Sequence, residues 1–173
     1  METAPFKLRV YAFLLDYLLI AMYGIFIVGS ISFLFQSFID PLFSGSPVIA
    51  ELTGFLLLTL PVVLYFIISE QSKWQGTWGK KKMGLLVVNE TGQRISLGRS
   101  VIRSFIKFLP WEMAHFGIWR LMLPTNFSET TLFIILNAVN LCILAFLIVP
   151  LTNKKRKNIY DWGAGTFVAR APR

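Results

Sequence analysis

Arg9 and Asp16 stand seven residues apart at the head of a run that is otherwise apolar from Val10 to Leu34. At 100° per residue this spacing returns them to within about 20° of one helix face, roughly 10 Å apart along the axis. Arg9 is long enough to snorkel to an interface. A carboxylate at Asp16 costs roughly 2.5–3.5 kcal/mol within hydrocarbon, so it must face protein, water or a cation. Two roles follow for Asp16: an ion or proton site, or a structural anchor paired to a base, the commoner of the two. Glu112 and His115, three apart, form a Glu-x-x-His unit, but a di-metal bundle needs two such units, and His115 is the sole histidine. A hydrogen-bonded polar pair is expected there, with no metal and no cofactor. Asn137 and Asn140 either join Asp16 or Glu112 in an interior polar track or tie neighbouring helices by amide hydrogen bonds, the commoner use. Gly76-Thr-Trp-Gly-Lys80 lacks the spacing of a phosphate loop, and the single His and single Cys fall on different apolar segments. Neither an enzyme nor a nucleotide-binding protein is expected.

The elements that must position these residues are apolar and long. Val10 to Leu34, Leu52 to Ile68 (with Pro61 as a kink) and Leu132 to Leu151 each approach the roughly 20 residues that a helix needs to cross a hydrocarbon core of about 30 Å. Cys142 lies within the last of these and reads as a small buried hydrophobe. Between them, residues 97–109 carry Arg99, Arg103 and Lys107 at every fourth position, opposite Val101, Ile102, Phe105 and Ile106. That pattern predicts an amphipathic basic helix lying in the headgroup plane, its bases toward anionic lipid. Pro110 is expected to break it, and residues 111–123 to form a short third crossing. In the connecting loop 69–96, Met83 to Ile95 reads as a β-hairpin turning near Gly92, and Thr166 to Ala169, in the tail 152–173, is a further extended candidate able to pair with it. The prediction is an all-α integral membrane protein in one domain, with four crossings and a small hairpin-like element.

Composition agrees. Of 173 residues, 55% are hydrophobic and 15% charged, with 16 Phe and 5 Trp, against about 25% charge in soluble chains; mean hydropathy is +0.62. Disordered, disulfide-stapled and nucleic-acid-binding classes are excluded. The net charge of +8 reads as a topology signal facing anionic lipid. With four crossings and both termini cytoplasmic, all of the 17 bases except Arg120 fall inside. Three crossings would strand the basic tail, from Lys154 to Arg173, outside. The first segment is too long for a signal-peptide core and lacks a cleavage site, so it is expected to be retained. The outer loops, Gln36 to Glu51 and Pro124 to Thr131, are too short for a folded domain. The expected location is the cell membrane, multi-pass.

Arg9, Asp16 and, after the last helix, Asp161 resemble the arginine and two aspartates of the RDD family of membrane proteins. Thr77-Trp-Gly-Lys-Lys-Lys-Met-Gly-Leu-Leu-Val-Val88 is similar to that family's T-x-G-K-x-x-x-G-L-x-V stretch, and Tyr160-Asp-Trp-Gly-Ala-Gly-Thr-Phe-Val168 to its D-x-x-A/G-G-T-x-V ending. Tyr160 stands where many members carry His. The resemblance implies an integral membrane protein, with transport often suggested. Two functions are therefore carried forward. One is a transporter of a cation or small solute, built as a homo-oligomer around Asp16. The other is a non-transporting scaffold or regulatory partner of another membrane protein, in which Arg9, Asp16 and Asp161 form a structural cluster with both carboxylates reaching one guanidinium.

Overall fold

The computed structural model describes residues 1–172; Arg173, counted above among the tail bases, lies outside them. Helix α1 (Phe6–Leu34) starts a turn earlier than its apolar run, and after the short α2 (Gln36–Ser44) the chain returns in α3 (Pro47–Gln71). Helices α1 and α3 each contain one π-helical turn, Tyr23–Val28 and Phe55–Thr59, and the two turns pack together. A π-turn shifts the helical register and leaves a carbonyl short of its usual partner. Tyr23 Oη donates to Leu57 O at 2.7 Å across the contact. Pro61, which lacks an N–H to lose, follows the second π-turn without breaking the helix.

A one-turn helix α4 (Trp78–Lys82) and strand β1 (Leu85–Asn89) lead into α5 (Leu97–Met122). Here the structure corrects the sequence reading. Residues 97–109 and 111–123 are not a surface helix and a separate crossing but one helix of 26 residues, about 39 Å long, with Pro110 buried inside it. Packing against α3 on one side and the following long helix, α6 (Glu129–Thr152), on the other holds it together despite the missing N–H. Ser96 and Ser128 cap α5 and α6 through the N–H groups of Arg99 and Thr131.

After α6, Asn158 and Asp161 form a capping box at the start of α7 (Ile159–Ala164), and Gly165 ends it at φ +60°, a conformation glycine adopts freely. Strand β2 (Thr166–Arg170) then pairs antiparallel with β1, Val87 opposite Val168. The two-stranded element thus joins distant parts of the chain; the local turn at Gly92 adds a bridge between Val88 and Arg94 and a bond from Asn89 N to Gln93 O at 2.9 Å. On the other edge of β2 the N-terminus adds Thr3 opposite Ala169, with Ala4 N donating to Val168 O at 3.0 Å. Both ends of the chain therefore meet at one end of the helix bundle.

The packing is inside out by the standard of a soluble domain. Large apolar side chains point outward along every long helix (Phe33 is 79% exposed, Phe26 63%, Phe105 65%, Ile134 65%), while Asp16, Glu70, Arg103 and Asp161 are buried. Helices α1, α3 and α6 are long and apolar enough to cross a membrane, and a belt of this kind suits lipid rather than water. Cys142, expected to be buried, is exposed on α6 within that belt.

A buried ion cluster at the end of the bundle

The basic stripe of α5 faces the opposite way from the sequence reading. Val101, Ile102, Phe105 and Leu109 are the exposed side, and Arg103 is 2% exposed, turned into the bundle. Its Nε donates to Glu70 Oε2 at 2.8 Å, and its Nη1 donates to Asp161 Oδ1 and to Thr166 Oγ1 at 2.9 Å. The guanidinium also lies 4.8 Å from the Tyr160 ring centroid. Arg99 is exposed, yet it is spent on the carbonyls of Ala164 and Gly165 rather than on lipid, at 3.3 and 2.8 Å. Lys107 Nζ sits 3.3 Å from the Phe66 ring centroid and has no carboxylate within ion-pair distance among the described residues. The inward turn has a simple cause. Glu70, at the end of α3, and Asp161, at the start of α7, supply carboxylates that a headgroup plane would otherwise have to provide.

Arg9 and Asp161 meet as a pair, Nη2 to Oδ2 at 3.2 Å, and Arg9 also donates to Arg156 O. The remaining Asp161 oxygen capacity accepts Asn158 N at 2.9 Å and Thr166 Oγ1 at 3.3 Å. Asp161 thus caps α7, anchors β2 and pairs with two arginines, with no exposed surface of its own.

Asp16 does not share Arg9 with Asp161, and this corrects the expectation that one guanidinium serves both. It accepts instead from three neutral donors: Tyr65 Oη at 3.0 Å, Thr77 Oγ1 at 2.5 Å and Gly79 N at 2.9 Å. Arg9 is drawn to the C-terminal segment, while α4 closes over Asp16. The Thr-Trp-Gly-Lys stretch is built for this closure. Thr77 caps α4 and holds Asp16, and Lys80 Nζ reaches Glu70 Oε1 at 2.9 Å. Gly79 lets α4 touch α1 directly, since a Cβ there would collide with Ala12 O and lie 2.9 Å from Asp16 Oδ1. Of these groups Glu70, Tyr65, Thr77 and Lys80 were not singled out as site residues from sequence. Glu70 had a legible signal: an acid directly after an apolar segment, facing a helix rich in bases.

Between these side chains lies a cavity of about 80 Å³. Arg9, Lys80, Arg103, Lys107 and Asp16 line it together with Phe13, Phe66 and Tyr160. Glu70 and Asp161 each stand between two bases, whereas Asp16 has no ion pair among the described residues.

The other polar candidates lie elsewhere. Glu112 and His115 are half-buried on α5, Oε1 to Nδ1 at 3.4 Å, with the imidazole edge-on to Trp111. Asn137 and Asn140 are exposed on α6 and join neither Asp16 nor Glu112; Asn137 Nδ2 donates back to Phe133 O at 2.8 Å. At the far end of the bundle Arg120 Nη1 pairs with Glu51 Oε2 at 2.6 Å.

The model of the RDD family matches residues 3–165 of this chain. A Bacillus subtilis (strain 168) protein described as "Uncharacterized protein YxaI" is 41% identical over 69 residues, covering 40% of this chain and 46% of its own length. The chain thus spans under half of that relative. No solved structure matches.

Proposed function

The chain belongs to the RDD family of membrane proteins, and from the geometry of its cluster we propose that it acts as a small transporter subunit with four crossings and both termini in the cytoplasm. Parity supports the topology. The sheet joins Thr3 to Ala169 at one end of the bundle, which favours an even number of crossings, with α5 as the partner of the three apolar helices. The bases near that end favour the cytoplasm.

The observation that carries transport is the state of Asp16. Glu70 and Asp161 are committed to fixed bases, and a carboxylate so held is a structural part. Asp16 is buried, lines the cavity and, among the described residues, is held by neutral donors alone. Its charge remains available to a proton, a cation or the cationic part of a small solute. Four helices are few to enclose a solute route, so this reading has the route completed in an oligomer. Asp16→Asn keeps the shape and two of the accepted hydrogen bonds while removing the charge. In liposomes with several cations and a pH gradient, the variant should stay folded and lose flux. Wild-type flux in a folded Asp16→Asn protein rejects Asp16 as the transporting group.

A second reading has its own support. The chain of contacts from Arg9 through Asp161, Arg103 and Glu70 to Lys80 binds α1, α3, α4, α5 and α7 into one unit. That suits a scaffold or regulatory partner that presents a fixed cytoplasmic face. Absence of flux for every ion tested, with a membrane protein co-purifying, favours this reading.

A further inference from the structure

Helix α6 carries two amides where hydrocarbon should be. Asn140 lies 11 residues from Glu129 and 12 from Thr152, the two ends of the helix, hence about 17 Å from either end. That is the middle of the span, and an asparagine side chain is too short to snorkel from there to water. Asn137 and Asn140 are nevertheless exposed, and Asn140 makes no side-chain hydrogen bond among the described residues. In water such exposure is ordinary; in lipid it leaves the Asn140 amide without partners and the Asn137 amide with only the bond its Nδ2 donates to Phe133 O.

The asparagines belong to a regular seam. Phe133, Asn137, Asn140, Leu144, Leu147 and Leu151 follow one another at intervals of four and three, and every one is exposed. At 100° per residue they stay within about 40° of a single line along the helix. The face that α6 buries against the bundle, with Leu132, Val139 and Pro150, lies to one side of that line. A four-three repeat is the spacing that lets two helices interdigitate at a shallow left-handed crossing, and an asparagine within it fixes register.

We propose that this seam is the contact between two copies of the chain. Copies inserted with the same topology are related by a two-fold axis along the membrane normal, so each residue of the seam meets its own counterpart. That arrangement suits an amide, which donates and accepts and is therefore its own complement. It does not suit a carboxylate or a base, and the seam contains neither. Asn140 pairs with Asn140 of the second copy at the midplane, Asn137 with Asn137 one turn away, and Leu144, Leu147 and Leu151 close the remainder. The inference rests on the membrane placement and on the oligomer of the proposed function, but not on transport itself.

Cys142 supplies an internal control, because its position is about 180° from the seam line. In oxidised membranes the wild-type protein should give no disulfide dimer. In a Cys142→Ser background, Leu144→Cys and Leu147→Cys should give one, whereas Ile134→Cys, exposed but about 100° off the line, should not. The Asn137→Leu, Asn140→Leu double variant replaces amides by side chains that lipid accepts, so it should fold. Its dimerisation, read by energy transfer between labelled copies in liposomes as lipid is added, should weaken about tenfold, the scale of interhelical amide bonds in membranes. Equal crosslinking at Ile134, or unchanged dimerisation of the double variant, overturns the seam. A wild-type monomer that still carries flux also overturns it and leaves Asp16-dependent transport standing, whereas a seam dimer without flux fails transport alone.

Discussion

Replacing Arg103 by alanine separates a helix that lies on a membrane surface from one that turns its bases inward. At a headgroup surface a lost base costs about 1 kcal/mol. In the structure the loss is of another kind. Arg103 is 2% exposed and bridges two carboxylates, Glu70 at 1% and Asp161 at 0% exposure, and it also holds Thr166. Removing one partner of a buried pair costs about 3–5 kcal/mol, because the other charge stays buried. Here each carboxylate keeps one base, Lys80 for Glu70 and Arg9 for Asp161, so the expectation is the lower part, about 3–4 kcal/mol. Arg103→Lys preserves the charge but cannot span both acids with one ammonium, and should recover no more than about half of the loss. Arg99→Ala removes two bonds to carbonyls at an exposed site and should cost about 1–2 kcal/mol. The assay is reversible unfolding in mixed micelles, followed by tryptophan fluorescence. An Arg103→Ala variant no less stable than Arg99→Ala refutes the inward orientation and restores the surface helix.

Gly79→Ala should push α4 off α1 and destabilise the protein by about 1–3 kcal/mol, as overpacking does, with Asp16 losing its backbone donor; retained stability and an unchanged tryptophan spectrum would mean that α4 does not rest on Ala12. The Glu90 carboxyl is held below the ordinary carboxylate range, chiefly by the hydrogen bond from Lys157 and further by Lys155. A lowered pKa means that this tie stabilises the fold above the ordinary carboxylate range and is lost as pH falls through the lowered value. Amide protection in residues 153–158, with the intrinsic pH dependence of exchange divided out, should therefore fall on acidification in the wild type but not in Glu90→Gln, and identical profiles would exclude the tie. For topology, cysteines at Ser44 and Ser128 in a Cys142→Ser background should react with an impermeant thiol reagent in whole cells, and one at Lys155 should not; protection at Ser128 with labelling at Lys155 would overturn four crossings.

The apolar helices were legible because length and hydropathy leave few alternatives, and α1, α3 and α6 form where continuous apolar sequence demands them. Their ends were less legible. Polar residues such as Arg9 in α1 and Glu70 in α3 continue the helices because they find partners within the bundle, and hydropathy is blind to partners. Pro110 misled for the same reason: the cost of a missing N–H is local, and the packing of α5 on two neighbours outweighs it. The β1–β2 pairing was half visible. The extended stretches could be read, but the local turn at Gly92 competed with a partner some 80 residues away, and spacing cannot weigh one against the other.

The orientation of α5 marks where sequence reasoning stopped and what would have carried it further. An amphipathic pattern states that a helix has two unlike faces, not which one turns inward. In water the apolar face goes in. Between apolar helices the choice is set by charge balance, because lipid accepts Phe105 and Ile102 readily and rejects an unpaired base. The balance could be drawn from the chain itself. Glu70 and Asp161 flank the membrane segments on either side of Arg103 in sequence, and Arg9 and Lys80 stand beside the same boundary. Three carboxylates, counting Asp16, against Arg9, Lys80, Arg103 and Lys107 make a nearly neutral group that a bundle end can bury as a unit. The one base in excess is Lys107, and it is the base that lines the cavity with aromatic faces in place of a carboxylate. In membrane segments of mixed character, then, acids and bases are to be matched across the whole chain before any helix face is assigned to lipid.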